Sequence, residues 1–481
     1  MDLIINGHNY KYETEKVIRL FYPHEKILFL YDSAVDNNRY ILTDVSDTAV
    51  TVDINIDNCH FTETKKIVDN QKVELIIAGS VFKILQKITG RTPRWGLMTG
   101  IRPTKLYRSF KNSSDINNAV TVLKDNYLIS DEKLKLCTTV SDIEETIINQ
   151  SNKNSYSLYI SIPFCPTRCR YCSFVSHSIE KTARLIPEYI DKLIEELKIT
   201  SIIASNLNLK LETVYIGGGT PTVLQPVQLE KILIALYEYF DMSNIKEFTV
   251  EAGRPDTVTA EKLQVLKKYN VTRISINPQT FNDVTLARIG RNHTSLQTEN
   301  AFNIARSVGF DNINMDLIAG LEGESYDDFV RSVNKVLYFC PESVTIHTLS
   351  LKTASYLAED GDKLDSSVQN DVSKMLSFGY KQLFDSGYMP YYMYRQSKTI
   401  DNLENTGWSL KGKECLYNVF MMDETHTVLA VGGGAVTKLK QPNGDYIDRI
   451  FNFKFPYEYI NRFDELIDRK QYIYDFYERF K

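Results

Sequence analysis

The sequence predicts an α/β protein centred on an open, partial (β/α)6 barrel over residues 156–350. An α+β accessory domain precedes it over 1–150, and a mixed, helical region follows over 351–481. Three observations predict this. Strand-like and helix-like patterns alternate six times between Ser157 and Ser350. Glycine-rich and polar stretches follow those strands, where sheets of this class place their sites. The chain of 481 residues also exceeds the roughly 250–300 at which one core stops growing.

Taken in order, 16–21 and 26–31 alternate like the two strands of a hairpin, and 49–56 reads as another strand. Helical spacing follows over 74–88, 115–127 and 131–149, and the polar run 149–155 reads as a linker. The core strands are expected at 158–162, 213–216, 247–251, 273–276, 312–318 and 344–349. Between them lie helical patterns at 186–204, 226–239, 259–269, 296–308 and 326–337. Such βα units form a parallel sheet joined by right-handed crossovers. Six units rather than eight predict an open barrel. Beyond it come a helix near 369–386, a mixed stretch with 428–434, and an aromatic helix over 457–480.

Hydrophobic content of 43% and charged content of 24% are ordinary for globular chains. A net charge of −5 argues against nucleic acid as the main partner. No apolar run approaches the ~18 residues that span a bilayer, and the first residues lack the basic start and apolar core of a signal peptide. Seven cysteines, three of them crowded together, do not make a regular disulfide framework. A reducing, cytoplasmic setting is expected.

Those three, Cys165, Cys169 and Cys172, are the strongest chemical signal. Thiolates select zinc and iron–sulfur clusters. A [4Fe–4S] cube normally takes four cysteines, so one held by three has an iron left open. The spacing C-x3-C-x2-C differs from ferredoxin patterns. The competing reading is a zinc knuckle with His177 as fourth ligand. After the second strand comes Gly217, Gly218, Gly219 and Thr220, a run that lets backbone approach a ligand closely or simply turns the chain. Glu251 ends the third strand, and Arg254, Gln279, Arg291 and Asp316 follow on the later units.

The cysteine spacing, followed one βα unit later by the glycine run, resembles the signature of radical S-adenosylmethionine (radical SAM) enzymes. Further ordered elements resemble one family within it, the oxygen-independent coproporphyrinogen III oxidases (dehydrogenases) of the HemN/HemZ type. These include Gln279 with Phe281 and Asn282, Gly290 with Arg291, and Asp316 with Gly320. Trp95 to Lys105, Tyr394-Arg395-Gln396, Asn402 to Asn405 and Gly412-Lys413-Glu414 look like marks of the HemZ branch.

The resemblance implies that Cys165, Cys169 and Cys172 hold a [4Fe–4S] cluster. It implies that Tyr159, Tyr171 and the backbone of Gly217, Gly218, Gly219 and Thr220 line the SAM site. Glu251, Gln279, Arg291 and Asp316 would make polar contacts to SAM, and Tyr159, Glu251 and Arg395 would serve catalysis. A second SAM is compatible with it. The implied reaction is oxidative decarboxylation of two propionates of coproporphyrinogen III through a 5′-deoxyadenosyl radical, with a flavodoxin or ferredoxin as electron donor. Arg102, Lys105, Arg254, Arg395 and Gln396 are candidates for binding the substrate carboxylates, structural ion pairing being the plainer reading of each. Two alternatives stay open: a radical SAM enzyme acting on another tetrapyrrole, and a haem-binding chaperone, although the chain lacks the latter's His-Asn-x-x-Tyr-Trp string.

The chain departs from the family pattern in three places. Phe174, after Ser173, stands where a fourth cysteine is common, Ser161 replaces a His, and Pro278 precedes Gln279. Cys59, Cys137, Cys340 and Cys415 have no motif around them, and His347, ending the sixth strand, either faces the cavity or, as the plainer reading, is a satisfied core histidine. Gly432, Gly433 and Gly434 could approach a ligand or form a plain turn.

Overall fold

The computed structural model describes residues 1–68, 72–100, 102–113, 116–172, 176–350, 366–396 and 399–480. Ser173 and Phe174 lie outside the described residues. The chain forms two compact units. The first comprises Met1–Ser141 with the short returns Arg395–Ser397 and Asp401–Leu403. The second holds the rest, and the division falls within helix Asp131–Ile148.

The first unit is a five-stranded sheet ordered Leu28–Tyr31, Asp2–Asn6, Tyr40–Val45, Ala49–Ile56, Cys59–Lys66. Along Ala49–Ile56 buried residues alternate with half-buried ones, as one covered face requires. Helix Val73–Thr89 buries Ile77, Val81, Phe82 and Leu85 in the core formed with this sheet. The expected hairpin is corrected here. Lys11–Phe21 is a helix burying Thr14, Val17, Ile18 and Phe21, an i, i+3, i+4, i+7 stripe. The strands on either side of it, Asp2–Asn6 and Leu28–Tyr31, pair in parallel. A tight hairpin cannot join parallel strands, whereas a helical crossover can.

The second unit is built on an eleven-stranded sheet. Its strands are β1 (Ser155–Ile162), β2 (Lys210–Gly218), β3 (Glu247–Glu251), β4 (Arg273–Ser275), β5 (Ile313–Ala319) and β6 (Ser343–Thr348). There follow β7 (Met389–Arg395), β8 (Glu404–Ser409), β9 (Thr427–Val431), β10 (Val436–Lys440) and β11 (Ile447–Phe451). The order is β7-β8-β6-β5-β4-β3-β2-β1-β9-β10-β11. From β1 to β6 every neighbouring pair is parallel, so the six predicted βα units stand in sequence order as an open barrel wall. The intervening helices bury one stripe each; Phe329, Ser332, Val333 and Val336 are that stripe in Tyr326–Phe339. The wall extends past both ends: β8 pairs antiparallel with β6, and β9 pairs parallel with β1.

The expected single helix over 457–480 is instead three: Pro456–Asn461, Phe463–Lys470 and Tyr472–Arg479. Arg462 leaves helical geometry (φ −116°, ψ 32°) between the first two, and each piece buries its own aromatic, Tyr459, Phe463 and Phe476. Among the described residues no helix is long and apolar enough to cross a membrane.

Candidate functional site

The chemical residues converge at the carboxyl ends of β1 to β6. The loop after β1 carries the three cysteines; Cys169 is buried and Cys165 and Cys172 are half-buried. Several bonds fix this loop from neighbouring units. Arg170 N–H donates to Ile289 O (3.0 Å) and Thr167 Oγ1 to Gly290 O (3.1 Å). Arg254, almost fully buried, donates from Nη1 to Thr167 O and Oγ1 while holding Asp256 through Nε and Nη2 (3.0 and 2.8 Å). Arg291 donates to Tyr171 Oη (3.1 Å), Gly253 O (3.2 Å) and Asn277 O (2.7 Å). Two buried guanidinium groups thus place positive charge beside the thiols. Burial raises the pKa of the Cys165 thiol, while a hydrogen bond from Thr220 and the charge of Arg254 act the other way. Such surroundings favour thiolate once a metal is bound.

The glycine run lies against this loop. A Cβ on Gly219 would fall 2.6 Å from Phe164 O and 2.8 Å from Ile162 O. Gly219 N–H donates to Ile162 O (2.8 Å), Thr220 N–H to Phe164 O (2.7 Å), and Thr220 Oγ1 to Cys165 Sγ (3.4 Å). These N–H groups therefore bind the run to the cysteine loop. Gly218 has φ +104°, which glycine adopts without penalty. A Cβ on Gly217 would sit 2.9 Å from the Glu251 carboxyl, so the open face of that residue meets an acid.

Glu251 accepts a hydrogen bond from Tyr215 Oη at 2.6 Å. Burial pushes its carboxyl up to about 7; the bonds from Tyr215 and the Gly218 N–H oppose that rise, and the charge of Asp316 adds to it. Tyr159 and Tyr215 stack with Tyr417 from helix Leu416–Asp423, the closest centroids being 4.5 Å apart. Burial alone would also raise the Asp316 carboxyl, but His347, Asn314 and Thr345 outweigh it and hold it below the usual range.

Gln279 has φ +65°, a left-handed conformation costing on the order of 1 kcal/mol for a side-chain-bearing residue. Bonds from its N–H to Asp316 O (2.9 Å) and from Ile318 N–H to its carbonyl (3.0 Å) keep it there. Its Oε1, Asn277 Oδ1 and both ring nitrogens of His293 are buried with no hydrogen-bond partner among the described residues. Burial and the charges of Arg291 and Arg254 push the His293 pKa down to about 3. Orphaned buried polar atoms are costly and mark places where a ligand completes the bonding.

The donor set fits the implied group. Three soft thiols stand beside a cradle that side chains would fill, facing unpaired acceptors. Among the described residues no three His, Cys, Asp or Glu side chains, the three cysteines included, are drawn together as a ready-made ion site.

The remaining predicted residues lie in the first unit, in the turn after β9 and on β6. Arg395 belongs to the first unit, where it donates to Asn402 O and to the carbonyls of Met98 and Gly100 and lies over the Trp95 ring. Arg102 and Lys105 are also in that unit. Gly432 and Gly433 form a turn whose groups bind protein: Gly432 N–H donates to Glu196, Gly433 N–H to Tyr189 Oη, and Ser161 Oγ donates to Gly433 O. His347 is not a core histidine but lies 3.7 Å from Asp316. Its strand-end position was the available signal.

The profile of the Radical SAM superfamily matches residues 159–336. The oxygen-independent coproporphyrinogen-III oxidase-like protein HemZ of Bacillus subtilis (strain 168) is 38% identical over 414 residues, 85% of this chain and 83% of its own. The heme chaperone HemW of the same organism is 32% identical, over 63% of this chain and 77% of its own. The structure of coproporphyrinogen III oxidase (HemN) from Escherichia coli superposes with a TM-score of 0.51 at 21% identity, covering 68% of this chain and 72% of that one. It shares the fold. The superfamily uses a [4Fe–4S] cluster and SAM, which agrees with the donor set described above. By its cysteine loop, its barrel and its likeness to HemZ over most of both chains, this chain belongs to the radical SAM superfamily, in the family of oxygen-independent coproporphyrinogen-III oxidase-like proteins.

Proposed function

We propose that the chain catalyses oxidative decarboxylation of two propionate side chains of coproporphyrinogen III to vinyl groups, yielding protoporphyrinogen IX. The observation carrying this is the likeness to HemZ along 85% of the chain, together with the cysteine loop and acid-lined glycine cradle at one barrel end. The cluster and SAM, when bound, supply a hydrogen-abstracting carbon radical. The chain's own residues would bind and orient. Cys165, Cys169 and Cys172 would hold the cluster, with Arg254 and Arg291 bracing their loop. Glu251, ionised, would take the ammonium of SAM, and the acceptors of Asn277 and Gln279 would bind others of its donors. The stacked rings of Tyr159, Tyr215 and Tyr417 would exclude water from the reacting carbon.

Arg254 and Arg395 are committed to Asp256 and to backbone carbonyls. This favours positioning over carboxylate binding for both. A flavodoxin or ferredoxin would supply the electron. The test is anaerobic reconstitution with SAM, dithionite and coproporphyrinogen III, followed by mass analysis. The expected result is loss of two CO2 from the porphyrinogen. Release of 5′-deoxyadenosine without that product overturns the substrate assignment. The likeness to HemW favours a second reading, a haem carrier. Stoichiometric haem binding without SAM cleavage would select it.

A further inference from the structure

His347 has no place in the roles set out above, yet it stands at the site. Along β5 and β6, Asp316 pairs in register with Thr345 and Ile318 with His347. Alternate residues share a face, so Asp316, Thr345 and His347 project to the same side. Asn314 Nδ2 donates to Asp316 Oδ1 at 2.6 Å, and Thr345 Oγ1 donates to Asn314 Oδ1 at 3.2 Å. One carboxylate oxygen is thereby fixed. The other, Oδ2, faces His347 Nε2 at 3.7 Å, beyond hydrogen-bond length, which leaves lone pairs on Oδ2 open. The His347 side chain is 27% exposed, while Ile346 and Thr348 beside it are buried. Its Nδ1 has no partner among the described residues.

The other groups that act on Asp316 are Tyr215 on β2, Glu251 on β3 and Tyr392 on β7. Glu251 differs from Asp316 in one respect. It receives the Tyr215 hydroxyl and the Gly218 N–H, but no cation among the described residues. An acid without a cation is completed by one. An acid already beside a histidine is completed by neutral hydroxyl donors, as strand-end carboxylates complete ribose hydroxyls in other α/β folds.

We propose that His347 is a positioning residue, presenting Nε2 to Asp316 so that this carboxylate stays an acceptor for the vicinal hydroxyls of the SAM ribose, while Glu251 takes the ammonium group. The proposal rests on the SAM site described above.

The test is equilibrium dialysis of S-adenosylhomocysteine, which cannot be cleaved to the radical, against the anaerobically reconstituted protein. His347→Ala should weaken binding about tenfold, as the Asp316 carboxylate loses the side chain that orients it, an effect about the size of one hydrogen bond. His347→Gln, which restores a donor, should recover most of it. An analogue lacking both ribose hydroxyls should bind wild type and His347→Ala alike, and His347→Ala should add nothing in an Asp316→Asn background. Iron content and circular dichroism check that each variant folds. Unchanged affinity in His347→Ala, or a penalty that persists with the analogue, overturns the proposal. A wild type that carries its cluster but binds neither S-adenosylhomocysteine nor SAM overturns the site assignment beneath it.

Discussion

Two buried polar clusters flank β1, and they differ in how completely their atoms are paired. Behind the strand, Glu196 is wholly buried and receives four donors: Asn452 Nδ2 (2.9 Å), Lys470 Nζ (3.0 Å), Gly432 N–H (2.7 Å) and Tyr459 Oη (2.7 Å). At its carboxyl end, among the described residues, Glu251 has no cation, and Asn277 Oδ1 and Gln279 Oε1 have no partner. Both clusters hold a buried acid. Only the second leaves bonding capacity for something else. Completeness of pairing, rather than burial or charge, separates an acid that holds the fold together from one that awaits a ligand.

Substitutions that distinguish the two clusters follow in order of expected effect. Cys169→Ser at the ligand-awaiting end should abolish cluster retention, read as loss of iron and sulfide from anaerobically purified protein, while circular dichroism stays native. Glu196→Gln should do the reverse. It leaves Lys470 buried without its anion, costing about 3–5 kcal/mol of stability. A lowered thermal midpoint with SAM affinity retained by the folded fraction is the expected outcome. Equal damage to binding and stability from either change would erase the distinction.

Gly217→Ala is a smaller perturbation. The new Cβ would press on the Glu251 carboxyl at 2.9 Å and the Tyr215 ring at 2.8 Å, both of which can give. SAM binding should weaken about tenfold, ~1.4 kcal/mol, without loss of iron.

The smallest effect is one of pH. The Glu251 carboxyl titrates at about 7 because it is buried, so it is neutral and a poor partner for ammonium below that value. As the ionised fraction falls, SAM affinity should drop about tenfold from about pH 8 to about pH 6, with Glu251→Gln flattening the profile. A flat profile in the wild type would place the ammonium elsewhere.

The sequence made local features legible and long-range ones illegible. The cysteine loop spans eight residues, and its spacing alone names its chemistry. The strand–helix alternation sets the order of β1 to β6, because sequential βα units neighbour one another. By contrast, Lys16 to Phe21 taken alone alternates like a strand, and only the full window Lys11–Phe21 reveals a helical stripe. The aromatic tail carries a helical period throughout, yet Arg462 breaks it, stacking on Phe453 and pairing with Glu465. Nothing in the sequence joins Glu196 to residues 432, 452, 459 and 470, since their meeting depends on β9 pairing with β1. For the same reason Arg254 and Arg395 looked available for substrate carboxylates, and only their partners reveal their occupation. For His347 the core reading outweighed the cavity-facing one because a lone histidine carries no partner in sequence; its acid lies 31 residues away on the adjacent strand.

The most direct measurement is electron paramagnetic resonance of the dithionite-reduced, anaerobically reconstituted protein, recorded with and without SAM. A reduced [4Fe–4S] signal that depends on Cys165, Cys169 and Cys172 and changes when SAM is added is the expected result. Stoichiometric zinc without iron and sulfide, or a cluster signal indifferent to SAM, would contradict a three-thiolate cluster with an open iron beside the glycine cradle.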